Sequence, residues 1–384
     1  MSPRRRSKSD PKPERTPDAL AADAPAAAPP PAPEWMIYGA NGYTGRMILD
    51  EAVRRGHRPI VAGRNASAVH ALASQHGLPA RAFDLAHPAT ACAGLNGVGV
   101  VLHCAGPFSA TCAPMLQACL ATGAHYLDIT GEIEVFAHCH GHHRQAQERG
   151  IVVLPGAGFD VVPTDCLAAM LATELPQAKS LVLAFEADGG PSPGTAKTSI
   201  EGLARGGCVR RDGVLTAVPL AWKARGFDRD GVPRSAMTIP WGDVYTAFVT
   251  TGIPDIEVYM ALPPATIARA QRLRRLQPLL KFGLVQRFVK ARAHAAVSGP
   301  SAATRAQTGC HVWGEVSDAS GNRRDAQLHT PNGYDVTMWA ALGIVEQLLR
   351  DAPRGGYFTP SQLMGADYIL RMPGVRRIHP EPAP

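Results

Sequence analysis

The sequence predicts an α/β fold, with a doubly wound parallel sheet followed by a second, strand-rich domain. Three observations carry this expectation. From Trp35 to Pro155, short apolar runs alternate with segments of helical spacing, the pattern of βαβ units. A glycine cluster, Gly39, Gly42 and Gly45, lies directly between the first apolar run and the first helix. After about residue 165, strand-like segments recur without regular intervening helices.

The elements can be read in order. Trp35–Tyr38 is a strand that ends at the glycine cluster, and Thr44–Arg55 continues at helical spacing. Pro59–Gly63 reads as a second strand, Ser67–His76 as a helix and Ala80–Asp84 as a third strand. Val98–Cys104 is almost wholly apolar, as a strand covered on both faces should be. Cys112–Thr122 reads as helical, His125–Asp128 as extended, Val135–Glu148 as helical, and Ile151–Pro155 closes the series. Beyond it, Ser180–Ala187, Val244–Thr250 and Glu257–Leu262 read as strands of an antiparallel sheet. A basic helical region covers 264–297, and a helix at Tyr334–Leu349 precedes a Gly355-Gly356 turn and a last short helix.

Bulk properties set limits on what the chain does. Its 384 residues suffice for two domains. No apolar run approaches the ~20 residues of a membrane-spanning helix. The basic N-terminus leads into Pro and Ala rather than an apolar core, so no secretory signal is expected. Eight cysteines without a CxxC pair read as reduced thiols, and the expected compartment is the cytoplasm. Residues 1–34 read as a disordered tail, dominated after Arg4-Arg5-Arg6 by Ala and Pro. The net charge of +7 has one source: nine Lys and Arg, and no Asp or Glu, lie between Glu257 and Glu315. Within it Leu276, Leu280, Leu284 and Phe288 recur at spacing four, among Lys281, Arg287, Lys290 and Arg292. That pattern suits a peripheral contact of 264–297 with an anionic membrane, or an ordinary helix with its apolar face in the core. Too few aromatics accompany it for a single-strand nucleic-acid platform, and no nucleic-acid partner is expected.

The glycine cluster is the strongest chemical signal. In Gly39-Ala40-Asn41-Gly42-Tyr43-Thr44-Gly45 the first glycine permits a tight turn and the second lets backbone approach a pyrophosphate. The third lets helix and strand pack closely, and the N–H groups of the first helical turn then face the phosphate charge. A dinucleotide site follows. An NAD-selective site places Asp or Glu about 20 residues on, to hold the ribose 2′-hydroxyl. Here the second strand ends at Ala62-Gly63-Arg64-Asn65, with Arg64 19 residues after Gly45. A guanidinium suits a 2′-phosphate, so NADP(H) is expected; the plainer alternative for Arg64 is a surface arginine. Asp84 closes the third strand, near where adenine lies. Cys104, Ala105, Gly106 and Pro107 end the fourth, at the nicotinamide half of the cofactor, where a Gly-Pro turn can also be merely structural.

With these residues in place, the chain resembles the saccharopine dehydrogenase-like oxidoreductases, including the trans-acting enoyl reductases. The resemblance runs through Gly39–Gly45, Ala62–Asn65, Val101–Phe108, His125–Glu132 (HYLDITGE), Gly156–Asp165 (GAGFDVVPTD), Gly194-Thr195, Pro331–Tyr334 and Gly355–Gly365 (GGYFTPSQLMG). It implies a Rossmann-type NADP-binding domain, an inserted α+β domain, and a C-terminal helical segment packing back on the first domain. The expected boundaries are 1–34 for the tail, 35–165 for the NADP-binding domain, 166–330 for the α+β substrate domain and 331–384 for the C-terminal segment. The resemblance leaves the substrate open, since its members range from amino-acid metabolism to lipid-linked reduction.

Hydride transfer needs a group that polarises or protonates the acceptor. The candidates are Asp128, Glu132 and Asp160, from loops at the sheet's carboxyl edge, and Lys197, which is suited to a substrate carboxylate. Asp165 belongs to the same loops, while His125 and Tyr126 are further donors. The bland alternative is that Asp128 and Asp160 cap helices or fix turns. His138 and His142 share the i, i+4 spacing of zinc sites, but no third ligand follows, so no metal is expected. The leading expectation is an NADP(H)-dependent reduction of a lipid-like or acyl substrate, of enoyl type. The alternatives are a saccharopine-type dehydrogenase acting on a C–N bond, and a non-catalytic NADP-binding protein at a membrane surface. The oligomeric state stays open.

Overall fold

The computed structural model describes residues 34–190, 192, 206–274, 299–351 and 353–378. The tail reading of 1–34 falls outside them apart from Glu34, as do Lys197 and the larger part of the basic stretch, from Arg275 onward.

The N-terminal half forms the expected βαβ series. Its elements are β1 (Glu34–Tyr38), α1 (Tyr43–Arg54), β2 (Ile60–Gly63), α2 (Ala66–His76), β3 (Ala80–Ala82), α3 (Pro88–Gly94) and β4 (Val98–His103). They continue with α4 (Phe108–Thr122), β5 (His125–Asp128), α5 (Ile133–Gly141), α6 (His143–Arg149) and β6 (Val152–Leu154). All six strands pair in parallel, in the order β6-β5-β4-β1-β2-β3. Strand β1 explains why: Trp35 and Ile37 enter one core and Met36 and Tyr38 the other, so both faces are covered. The helix expected over Val135–Glu148 is two helices, broken at His142.

Helix α7 (Val162–Glu174) leads out of this sheet and is buried on nearly every side, which removes any amphipathic stripe from its sequence. A second sheet of nine strands follows. It contains β7 (Ser180–Ala187), β8 (Gly207–Arg211), β9 (Val214–Val218), β10 (Ala224–Arg229), β11 (Val232–Thr238) and β12 (Asp255–Ala261). It is completed by β13 (Gly309–Ser317), β14 (Arg323–Pro331) and β16 (Arg376–Ile378). The main path is β10-β11-β12-β7-β13-β14-β16. The expectation of an antiparallel sheet needs correction, because β7 and β12 pair in parallel. Parallel neighbours require a crossover, and the long connection between these two strands supplies it.

Part of that connection corrects a second expectation. Val244–Thr250 is not a strand but most of helix α8 (Asp243–Thr251). Its β-branched and aromatic residues favour strands locally. Packing decides otherwise: Asp243, Val244, Thr246 and Ala247 are buried, α8 lies against α5 and α7, and Gly252 ends it in the left-handed region at φ 71°. Helices α9 (Pro264–Leu273) and α10 (Ala302–Gln307) border the second sheet's strands in sequence.

The C-terminal segment packs back on the first sheet. Helix α11 (Gly333–Arg350) lies against α1 and β4. The expected Gly355-Gly356 turn is instead the entry to β15 (Gly356–Tyr357), which pairs with β6 as a seventh parallel strand. A Cβ on Gly355 would lie 2.5 Å from Ala146 O, so the chain reaches that edge only with glycine there. Helix α12 (Pro360–Met364) and a 3₁₀ turn (Ala366–Arg371) follow and pack on α7. One continuous core therefore runs from a face of the first sheet, through α7 and α11, to the inner face of the second.

Candidate active site

The glycine loop is built by close approach. Gly39 has φ 88°, and a Cβ there would lie 2.7 Å from Ala105 N. A Cβ on Gly45 would lie 2.4 Å from Gly39 O, closer than any real contact. Gly39 N donates to Ala62 O at 2.8 Å, and Gly42 caps α1 without a side chain of its own. The loop thus touches the ends of β2 and β4, and the exposed Asn41 and Gly42 and the partly exposed Tyr43 and Thr44 form its rim. These N–H groups at the start of a twelve-residue helix are placed to meet an anion.

Arg64 is exposed at the end of β2, immediately before Asn65, whose side chain caps α2 by accepting from Ala68 N at 3.1 Å. Asp84 holds a turn, accepting from Ala86 N at 2.9 Å. Both charges act on buried Tyr38 between them: burial and Asp84 raise the phenol's pKa to about 12, while Arg64 opposes them. Arg64 and Asp84 therefore border one region at the carboxyl edge of β2 and β3.

At the end of β4, Cys104 and Ala105 lie against Gly39, and the Gly106-Pro107 peptide is cis. Burial raises the Cys104 thiol far above its ordinary range, which leaves it protonated and inert. Two residues that sequence reading passed over fix this loop. Thr111 Oγ1 donates to Ala105 O at 2.8 Å, and it lies 2.9 Å from Nε2 of His103. His103 is fully buried, and burial pushes its pKa down to about 3, so it is a neutral strut.

The carboxylates separate by what they touch. Asp128 is fully buried; Oδ1 accepts from Thr130 N and Gly156 N, and Oδ2 accepts from Tyr126 Oη at 2.6 Å. Burial raises it to about 6, against the opposing effect of those bonds. Glu132 accepts from Phe108 N and Ser109 N, both at 2.9 Å, and so caps α4. Asp165 accepts from Thr250 Oγ1 and Ser361 N, and burial raises its pKa. His125 Nδ1 accepts from Val152 N. Each of these groups has structural partners.

Asp160 differs. Among the described residues, no hydrogen bond or ion pair reaches its carboxylate, and burial pushes its pKa up to about 7. The side chain is partly accessible and leans on the loop after β5, where a Cβ on Gly131 would lie 3.0 Å from its Oδ2. Its backbone carbonyl accepts from Trp241 Nε1 at 2.7 Å, which ties it to the segment between β11 and α8. Trp241 stands 5.1 Å from Phe185, and Phe185 6.1 Å from Phe159, so the residue before Asp160 and the tryptophan bonded to its carbonyl share one aromatic cluster. Phe159 lies within the GFDVVPTD motif, but nothing in the sequence marks Trp241 or Phe185 as its neighbours. Behind them Asp243 is buried and held well above the carboxylate range; Thr164 donates to its Oδ1 and its Oδ2 lacks a partner among the described residues.

Three rings of the histidine cluster are engaged in the fold, while His138 Nε2 is buried without a partner among the described residues. The His142 ring nitrogens lie 2.9 Å from His138 O and 3.0 Å from Gln117 Nε2, while His140 and His143 engage Tyr245 and the Tyr357 amide. Among the described residues, the side chains grouped closely enough for a metal are Cys112, Asp128 and Cys139. Both oxygens of Asp128 already accept hydrogen bonds, and burial holds Cys139 protonated. That donor set does not suit a cation.

Residues 35–154 match the saccharopine dehydrogenase NADP-binding domain. A putative trans-acting enoyl reductase of Mycobacterium tuberculosis is 30% identical over 184 residues, covering 44% of this chain and 43% of the relative. The human saccharopine dehydrogenase-like oxidoreductase is 28% identical over 150 residues, covering 34% and 35%. The alignments thus span under half the length of these relatives. Saccharopine dehydrogenase (L-Glu forming) of Saccharomyces cerevisiae superposes with a TM-score of 0.60 at 11% identity, covering 88% of this chain and 96% of that one, a likeness of fold. Residues 35–154 are thus similar to a nicotinamide-cofactor domain, and the chain shares the two-sheet fold of saccharopine dehydrogenase.

Proposed function

We propose that this protein is an NADP(H)-dependent oxidoreductase that reduces an apolar, lipid-like or acyl acceptor of enoyl type, with Asp160 as the proton donor. The observation that carries this reading is the Asp160 carboxylate: unpaired among the described residues, leaning on the Gly131 loop after β5, and raised to about 7. A general acid works best when its pKa lies near the working pH. When bound, the nicotinamide supplies the hydride. The glycine loop from Gly39 to Gly45, including Asn41, Tyr43 and Thr44, holds the pyrophosphate. Arg64 takes the 2′-phosphate with Asp84 beside it, and Cys104, Ala105, Gly106 and Pro107 flank the nicotinamide half.

In the reduction of a conjugated C=C bond, hydride goes to the β-carbon, and the carbon α to the carbonyl takes a proton from Asp160, which then recovers one from water. An apolar acceptor would lie against the partly exposed rings of Phe159 and Trp241. An amino-acid substrate brings carboxylates that need cations, yet among the described residues no cation acts on the Asp160 carboxyl, which burial alone shifts. Lys197 is the residue that such a substrate would call on. The relatives named putative trans-acting enoyl reductases support an acceptor with a conjugated C=C bond. A contact of the basic stretch 264–297 with anionic lipid fits an apolar substrate, and in its described part Leu273 at the end of α9 is 47% exposed.

The test is the oxidation of NADPH, followed at 340 nm, with enoyl thioesters of increasing chain length and, in parallel, with lysine plus α-ketoglutarate. Consumption only with the unsaturated acceptors supports the proposal. Consumption only with the amino-acid pair supports C–N chemistry instead. Tight NADPH binding with no acceptor that consumes it removes the enzymatic reading.

A further inference from the structure

The glycine loop carries a side chain that its cofactor role does not use. Tyr43 is the first residue of α1, so its backbone N–H belongs to the anion-facing turn. Its phenol, however, points away into a joint built from three distant segments. The Tyr43 hydroxyl donates to Pro300 O at 2.5 Å. Arg305 Nη1 donates back to the same hydroxyl at 3.2 Å and also reaches Pro300 O at 3.4 Å. Arg305 is held in turn by Asp335, through Nε to Oδ1 at 3.0 Å. The Tyr43 and Tyr334 rings meet edge to face at 5.0 Å, and Gly299 packs so tightly on Tyr43 that a Cβ there would lie 2.8 Å from the ring. Tyr334 Oη accepts from Ser192 N. Asn332 closes the joint by bonding Thr308 Oγ1 and Asp188 O.

One phenol thus ties segment 299–308 and the start of α11 to the pyrophosphate loop, and Tyr334 and Asn332 add the exit of β7. The other side of the loop has no slack. Gly39 and Gly45 are packed against Ala105 and each other at distances that leave no room even for a methyl group. A shift of the first turn of α1 must therefore be taken up at the phenol rather than at the strands.

We infer that Tyr43 is a positioning residue that couples the pyrophosphate loop to segment 299–308, so that cofactor binding steadies that segment. The inference rests on the cofactor site proposed above and concerns its regulation. A pyrophosphate bound at the first turn of α1 would hold the backbone from which the hydroxyl reaches Pro300 O and Arg305 together. Coupling of this kind is reciprocal, so the tethered segment also favours the cofactor-ready loop.

The experiment is hydrogen exchange followed by mass spectrometry on the full chain, with and without saturating NADPH, for the parent and Tyr43→Phe. Phenylalanine keeps the ring contacts with Gly299 and Tyr334 and removes only the hydroxyl. In the parent, NADPH is expected to slow exchange across 299–308 by about tenfold, within the usual range of coupling between sites. In Tyr43→Phe, saturable NADPH binding should persist, weakened by at most about tenfold, while the protection of 299–308 disappears. Protection that survives the substitution overturns the inference, as does NADPH bound to the parent without any protection there. If Tyr43→Phe folds poorly, Arg305→Ala breaks the same joint from the other side and must show the same loss. Failure of the parent to bind NADPH at all removes the cofactor reading itself, a result that titration of NADPH fluorescence tells apart from the others.

Discussion

Glu132 and Phe108, 24 residues apart, are joined by a 2.9 Å hydrogen bond from the Phe108 amide to the Glu132 carboxylate, with Ser109 N donating beside it. The same glutamate begins α5 with its backbone, so one residue starts one helix and caps another. This clamp sets the loop Cys104–Pro107 that leads into α4. Its position at the carboxyl edge made Glu132 a candidate for chemistry, but its oxygens are occupied by backbone donors.

Glu132→Ala should therefore cost stability before it costs chemistry. Loss of a helix cap is worth about 1 kcal/mol. A chemical denaturation midpoint lowered accordingly, with NADPH still bound, is the expected outcome; turnover abolished at unchanged stability would return Glu132 to the list of catalytic groups.

Arg64→Asp separates the two nicotinamide cofactors. Removing a charge-assisted contact to the 2′-phosphate and adding a like charge should weaken NADPH by about 100-fold, at roughly 1.5–3 kcal/mol per charged hydrogen bond. NADH, which lacks that phosphate, should change little. Equal loss of both in fluorescence titrations would show that Arg64 does not read the phosphate.

Asp160→Asn tests the proton donor. With an acceptor that the parent reduces, turnover should fall by about 10²–10⁴-fold, the usual contribution of a positioned acid, while NADPH affinity stays the same. A variant that keeps parental turnover ends the role assigned to Asp160.

The same substitution has a pH signature in stability. The folded carboxyl is raised to about 7, against about 3.9 in an unfolded chain. Between those values the folded state binds more protons, so this group's contribution is full below about pH 4 and is lost as pH rises to about 7. Asp160→Asn should thus gain melting temperature relative to the parent progressively across that window. Asp128, raised to about 6, adds a slope of the same sign to both proteins and cancels in the difference. A constant difference from pH 4 to 8 contradicts the raised value.

Neutralising Arg287, Lys290 and Arg292 together should reduce co-sedimentation with vesicles containing anionic phospholipid, more strongly at low salt. These residues lie outside the described part of the chain, so the expectation rests on charge pattern alone. Absence of binding by the parent disposes of the lipid contact.

The sequence by itself determined the parallel sheet, its glycine loop and the place of Arg64, because each depends on neighbours in the chain. Continuous apolar runs report strands covered on both faces, and a glycine between strand and helix reports a backbone approach that side chains forbid. The tertiary structure decided which acid is available for chemistry. Asp128, Glu132 and Asp160 look alike as residue types on adjoining loops, and only the partners brought from Tyr126, Phe108 and Trp241 distinguish them. It also decided that Val244–Thr250 coils and that Gly356 pairs with Val152 rather than turning. Burial and hydrogen-bond satisfaction are properties of distant segments meeting, so no local pattern records them. The phenol of Tyr43 shows the same division. Its place in the loop is written in the sequence, but its tie to Pro300 and Arg305 exists only in the fold.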